Sequence, residues 1–210
     1  GQPAARLAAE VAAAGGHHML LLGPPGSGKS MIAARLPGIL PPLTPAESLE
    51  ATAVHSVAGR GEVVAQAPFI DPHHSITRAA LLGGGSGVPR PGAVSLAHHG
   101  VLFLDEVSEI PAAVLDGLRT PLEDGQVRLI RSRREVIFPA RFQLILAANP
   151  CRCAAEDPAR CRCRSRERST YLGNLSGPLR DRIDIVAATS ATGAVLSAGD
   201  AEPTSRIAGR

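Results

Sequence analysis

Residues Gly23, Pro24, Pro25, Gly26, Ser27, Gly28, Lys29 and Ser30 carry the side chains and the backbone freedom needed to hold a phosphate chain. They match the pattern G-x-x-x-x-G-K-[ST] at every required position. Glycines let backbone N–H groups close around phosphate oxygens. Lys29 is placed to reach the β- and γ-phosphates, and the Ser30 hydroxyl to ligate Mg²⁺. Lys29 is the only lysine in the 210-residue chain; every other cation of the Lys/Arg type is an arginine. The flanks agree with the pattern. His18 to Leu22 is a short apolar run of buried-strand length, and Met31 to Leu36 combines good helix formers with helical spacing. Strand, glycine turn and helix together point to a nucleoside triphosphate site rather than a chance glycine turn.

A second acid-bearing segment follows. Val101-Leu102-Phe103-Leu104 reads as a central parallel strand that delivers Asp105 and Glu106 to the crevice at its carboxyl end. An Asp in that position suits Mg²⁺, and an adjacent Glu suits activation of an attacking water, which favours hydrolysis over transfer to another substrate. Phe142 to Ala148 is another buried strand, ending at Asn149-Pro150. If it lies beside the Asp-Glu strand, Asn149 can bond the γ-phosphate or the water; a turn-forming Asn before proline is the alternative. His73-His74 sits in an irregular stretch with only Asp71 as a nearby ligand-type residue, so a structural or substrate-contacting role is favoured over a metal.

Four cysteines fall within thirteen residues, as Cys151-Arg152-Cys153 and Cys161-Arg162-Cys163. Such clustering suits a closed tetrahedral Zn²⁺ site, with free thiols as the alternative because the spacing is C-x-C rather than C-x-x-C. Residues 125–139 alternate apolar and polar side chains on both sides of a basic tip, which is a β-hairpin pattern. Arg128, Arg131, Arg133 and Arg134 could pair with nucleic-acid phosphates, or could simply protect an edge hairpin by charge.

These residues must be positioned by the remaining elements. Residues 2–14 read as a helix with Leu7 and Val11 on one face, ended by Gly15-Gly16. Thr44-Pro45-Ala46-Glu47 reads as a helix start for a segment to about Ala53, with Val54 to Val57 a short second strand. Residues 61–100 are an insertion too long for a plain connection, and residues 112–122 form a helix in which Pro121 marks an end or a kink. The ordered core closes near residue 186, and residues 187–210 read as a disordered or atypical tail. A core of Leu, Val, Ile and Ala with one tyrosine and no tryptophan weighs against aromatic platforms for stacking bases. Net charge is only +3, with arginines crowding Arg119 to Arg182. No run approaches the roughly 20 apolar residues of a membrane span, and no signal sequence opens the chain, so a cytoplasmic location with no membrane partner is expected.

With these motifs assembled, the chain resembles the AAA+ ATPases of the magnesium-chelatase-like group, and within it the ComM/YifB competence-related family. The resemblance covers residues 1–186 and rests on GGHHMLLLGPPGSGKSM, PLTPAESLEATAVHSVAG, PHHS, SLAHHGVLFLDEVSEI, AANPC and LSGPLRDRID. It implies a three-layer α/β sandwich around a mostly parallel five-stranded sheet. It also implies a helix-2 insertion, a β-hairpin before the sensor strand and a ring of six subunits. By the same resemblance, residues 23–30 are Walker A, Asp105 and Glu106 are Walker B, and Asn149 is the first sensor. Arg182 is then the arginine finger that acts on a neighbour's ATP. The implied activity is an ATP-driven motor on forked or branched DNA, with helicase or branch-migration activity in recombination or natural transformation. A chelatase-type motor that remodels a partner protein, and a nucleotide-gated module without turnover, are the alternatives. The family's amino-terminal Lon-like domain and carboxyl-terminal lid are not found, so a fragment or short form with impaired hydrolysis is expected. Arg180 stands where the family more often has an apolar residue, which puts the packing there in question.

Overall fold

Period-two alternation in three apolar runs decides the architecture. In the computed structural model, which describes residues 2–85, 88–131, 134–155, 158–190 and 204–209, each run has one set of side chains on either face of a sheet. Met19, Leu21, Val101, Phe103, Ile145 and Ala147 join one buried cluster. Leu20, Leu102, Leu104, Leu144 and Leu146 join another. A strand buried on both faces must lie between two layers of helices, so the outcome is a three-layer α/β sandwich.

In chain order the elements are α1 (Pro3–Gly15), β1 (Met19–Leu22), α2 (Lys29–Arg35), α3 (Pro45–Val57), β2 (Phe69–Ile70), α4 (Arg78–Leu82), β3 (Gly83–Gly84) and β4 (Arg90–Pro91). They continue with α5 (Ala93–Leu96), β5 (Val101–Leu104), α6 (Ala112–Leu115), α7 (Arg119–Asp124), β6 (Gln126–Arg131), β7 (Arg134–Pro139) and β8 (Gln143–Ala148). The last are α8 (Ser165–Thr170), α9 (Gly177–Arg180), β9 (Ile185–Ala188) and α10 (Thr204–Ala208). The main sheet has the order β2-β5-β8-β1-β9, with every neighbouring pair parallel. Phe103 pairs with Ile145 and Leu21 with Ala147, so the carboxyl ends of β5, β8 and β1 emerge side by side. Ligands of open parallel sheets bind at that edge.

Several local expectations change. Helix α1 turns its alanines inward: Ala5, Ala9, Ala12 and Ala13 are buried, while Leu7 is 61% and Val11 48% exposed. Small side chains let this helix lie close to the sheet. Residues Val54 to Val57 are the end of α3, not a strand. The Thr44–Glu47 capping box starts that helix as expected, and buried Ala51, Val54 and His55 hold its last turns, so packing outweighs the strand preference of valine. The second strand of the sheet is instead Phe69–Ile70, inside the expected insertion, and two residues are too few to show a period. The helix expected over 112–122 is divided by a tight 3₁₀ turn at Asp116–Leu118, and Pro121 lies buried in the first turn of α7, where its missing N–H is tolerated. Arg180 is accommodated: its guanidinium donates to the Leu172 carbonyl while Leu179 takes the buried position. Of the stretch read as a tail, Ala187 and Ala188 complete the strand β9 beside β1, residues 204–208 are helical, and residues 191–203 lie outside the described residues.

A half-buried histidine, His18, and a buried one, His98, make the fold acid-sensitive. His18 Nδ1 accepts the Leu144 N–H at 3.0 Å, and His98 Nδ1 accepts the Arg141 N–H at 3.1 Å. Burial is the main force that holds both below the ordinary histidine value of 6.5. Because the folded pKa is depressed, the unfolded chain takes up protons first as pH falls through 6.5. Stability is therefore full above that value and lost below it, by up to about 1.4 kcal/mol per pH unit for each histidine that stays neutral. Thermal unfolding from pH 8 to pH 5 should show a flat melting temperature above pH 7 and a steady fall below 6.5.

Candidate nucleotide-binding site

The loop between β1 and α2 takes the shape that its glycines allow. Gly26 and Gly28 have φ of 73° and 87°, which disfavours any side chain there. Gly23 is needed for a different reason: a Cβ on it would meet Thr189 Oγ1 at 2.0 Å. Thr189 follows β9, and its hydroxyl lies 2.6 Å from Ser27 Oγ, so the end of the last strand closes against the loop. Gln2 ties the same corner from the other side, with its amide donating to the Ser27 and Ser190 carbonyls.

Lys29 is 8% exposed, and its ammonium donates to the carbonyls of Gly23 at 2.7 Å and Pro24 at 2.9 Å, and to Asn149 Oδ1 at 3.2 Å. Burial lowers its pKa, against the opposing pull of Asp105 and Glu106. The oxygens that surround this ammonium are neutral, so a phosphate would be a stronger partner than any it has. Ser30 Oγ donates to Asp105 Oδ2 at 2.7 Å, which brings one hydroxyl and one carboxylate oxygen to a common point. Such an oxygen pair fits Mg²⁺ that also binds phosphate. The residues present thus fit a Mg²⁺–nucleotide complex.

Glu106 has a left-handed backbone, φ 48°, and its N–H donates to Asp105 Oδ1 at 2.8 Å. This turn directs the two adjacent acids differently. The Glu106 side chain is 53% exposed, and its Oε2 lies 2.9 Å from His74 Nδ1. Sequence reading left His74 with a structural or substrate-contacting role and did not connect it with Glu106. The link arises because β2 pairs with β5, which carries residues 71–74 to the same sheet edge as Glu106. Asp71 is there too, its pKa raised by burial and by Asp105. Arg182 is placed elsewhere: its guanidinium holds Glu123 Oε1 of α7 at 2.7 Å within the same chain.

The hairpin β6–β7 is present, with Arg131 opposite Arg134 and buried Val127 and Phe138 at its root. Arg128 lies 3.5 Å from Glu135, and Ile130 is 72% exposed. Arg133 and the side chains of Arg131 and Arg134 lie outside the described residues. Cys151, Cys153, Cys161 and Cys163 bring their sulfurs within 4.8 Å of one another. A second convergence, Glu50 with His98 and His99, does not suit a metal. His98 Nδ1 accepts a backbone N–H, so the neutral ring carries its proton on Nε2 and donates it to Glu50.

Comparison with known proteins agrees with this geometry. The family profile described as "Magnesium chelatase, subunit ChlI" matches residues 1–195. The chain belongs to this magnesium-chelatase-like family. Within it, the chain is similar to an uncharacterized protein of Mycobacterium tuberculosis, at 57% identity over 99% of this chain and 42% of that protein. It is 46% identical to YifB of Escherichia coli K12 and to the competence protein ComM of Haemophilus influenzae, in each case over 88% of this chain and 37% of the relative. These matches put it in the ComM/YifB branch of the magnesium-chelatase-like family, and the chain spans about two fifths of its relatives' length. Among solved structures it is similar to NtrX from Brucella abortus in complex with ADP, with a TM-score of 0.55, 20% identity, and coverage of 89% of this chain and 34% of that one. That likeness shows the P-loop AAA+ fold of the family member. Among the described residues, no helix is long and apolar enough to cross a membrane.

Proposed function

We propose that this family member is the ATP-binding and ATP-hydrolysing part of a ring-forming motor that acts on forked or branched DNA. The observation that carries the nucleotide reading is one convergence at the carboxyl edge of the sheet. Lys29 meets Asn149, Ser30 meets Asp105, and Glu106 stands beside them on His74. In this reading Lys29 exchanges its loop carbonyls for phosphate oxygens, and Ser30 and Asp105 hold Mg²⁺. When bound there, Mg²⁺ would supply charge neutralisation at the phosphates. Glu106 takes the proton of the attacking water once His74 releases it, and Asn149 orients that water or the γ-phosphate. Arg182 leaves Glu123 to stabilise transition-state charge across a subunit interface in a six-membered ring. The reading also includes a structural Zn²⁺ on Cys151, Cys153, Cys161 and Cys163.

The hairpin supports DNA as the partner, since its buried root and basic end can hold arginines against phosphates. Equilibrium binding to forked DNA across a salt series tests this. Affinity should fall steeply between about 50 and 200 mM salt, and Arg133→Ala should flatten the log–log slope by about 1. No binding at the lowest salt would sink the DNA reading and favour a motor that remodels a protein.

A further inference from the structure

The thiol cluster sits at a junction. Cys151 is two residues beyond Asn149, with the rigid Pro150 between them, and is 3% exposed. Cys163 is followed by Arg164, the cap of α8, whose N–H donates to Glu167 Oε2 at 2.6 Å. Beyond α8, the Tyr171 hydroxyl accepts from Ser108 Oγ at 2.8 Å. The Asn174 side chain donates to the carbonyls of Val107 at 2.6 Å and Ile110 at 2.8 Å. Residues 107–110 directly follow Glu106. The cluster therefore lies on the covalent path that joins Asn149 to the braces behind Glu106.

The sulfur geometry is that of a metal centre without a disulfide. Cys151 Sγ lies 3.4 Å from Cys153 Sγ and 3.5 Å from Cys161 Sγ, and Cys153 Sγ lies 3.6 Å from Cys161 Sγ. A disulfide needs about 2.05 Å, whereas four sulfurs about 2.3 Å from one Zn²⁺ stand roughly 3.8 Å apart. Backbone N–H groups are aimed at the sulfurs as well. Ala155 and Arg162 offer N–H groups to Cys153, and Cys153 offers its own to Cys163, each favouring the thiolate, while the Ala154 N–H closes a turn on the Cys151 carbonyl at 3.0 Å. Bonds of this kind orient thiolate ligands. Arg152, Arg162 and Arg164 flank the cluster and oppose the net negative charge of a four-thiolate zinc centre.

We infer that Cys151, Cys153, Cys161 and Cys163 form a Zn²⁺ centre that holds Asn149 and the turn after Glu106 in register, so that metal loading sets how well the site tells ATP from ADP. The inference rests on the zinc assignment in the proposed function. Without the metal, Asn149 loses the anchor that keeps its amide at Lys29. The cysteines act as positioning residues, since none of them touches the phosphate loop.

The test uses the chain purified without chelators. Zinc content is measured, and calorimetry with Mg²⁺ gives affinities for ADP and for a non-hydrolysable ATP analogue. We expect one zinc per chain. Cys161→Ser should lose it and shrink the analogue-to-ADP affinity ratio about tenfold, with ADP binding unchanged. Cys161→His, which restores a ligand, should keep both metal and ratio. If Cys161→Ser does not fold, stripping the wild-type chain with a strong chelator and returning Zn²⁺ makes the same comparison. No zinc, and no cobalt–thiolate charge-transfer band on addition of Co²⁺, overturns the zinc assignment and the coupling together. Zinc that is bound and then lost, with the ratio unmoved or with both nucleotides weakened equally, overturns the coupling and leaves the zinc assignment standing.

Discussion

Glu106→Gln should lower ATP turnover by about 10³-fold while nucleotide affinity stays within about threefold of the unchanged chain. The amide has the same shape and can still meet His74 across the 2.9 Å contact. It cannot take a proton, so only the step that needs a base is lost. General bases contribute typically 10²–10⁴-fold, and this one is well exposed to water and free of the Ser30 contact that occupies Asp105. Steady-state turnover together with calorimetric binding separates the effects. Equal turnover in the variant would remove Glu106 from the chemistry, and a matching loss of binding would make its role structural.

Lys29→Ala should abolish measurable binding, weakening nucleotide affinity by at least about 100-fold. The ammonium is nearly buried and holds three oxygen acceptors, two from the loop and one from Asn149. Hydrogen bonds that involve a charged group are worth about 1.5–3 kcal/mol each, and several would transfer to phosphate. No second lysine exists in the chain to replace it. Arg35, at the far end of α2, starts from a different turn of the helix. The variant should remain folded, because the loop carbonyls it leaves can turn to water.

How much of this was legible in the sequence depends on whether the signal was local. The phosphate loop, the Asp-Glu strand and the Asn149 strand were readable because each motif and its flanks lie within one short run. Their meeting at one sheet edge needed only the rule that parallel strands present ligands at their carboxyl ends. The His74–Glu106 contact was not readable. It joins residues 32 positions apart through a two-residue strand, too short for any period and hidden in an irregular stretch. The burial of alanines rather than Leu7 and Val11 on α1 was missed for another reason. Helical spacing names a face, but only the close approach of helix and sheet decides which face is buried. The pairing of Arg182 with Glu123 likewise comes from tertiary placement of α7 against the end of α9, which no motif encodes.

The proposed function stands on Lys29, Ser30 and Asp105 together holding a Mg²⁺–nucleotide complex. Calorimetric titration of the chain and of Lys29→Ala with ATP, each with Mg²⁺ and with excess chelator, tests it most directly. Saturable one-to-one binding to the unchanged chain is expected, weakened when Mg²⁺ is removed and lost in the variant. Binding of the same strength to both chains, indifferent to Mg²⁺, would contradict it.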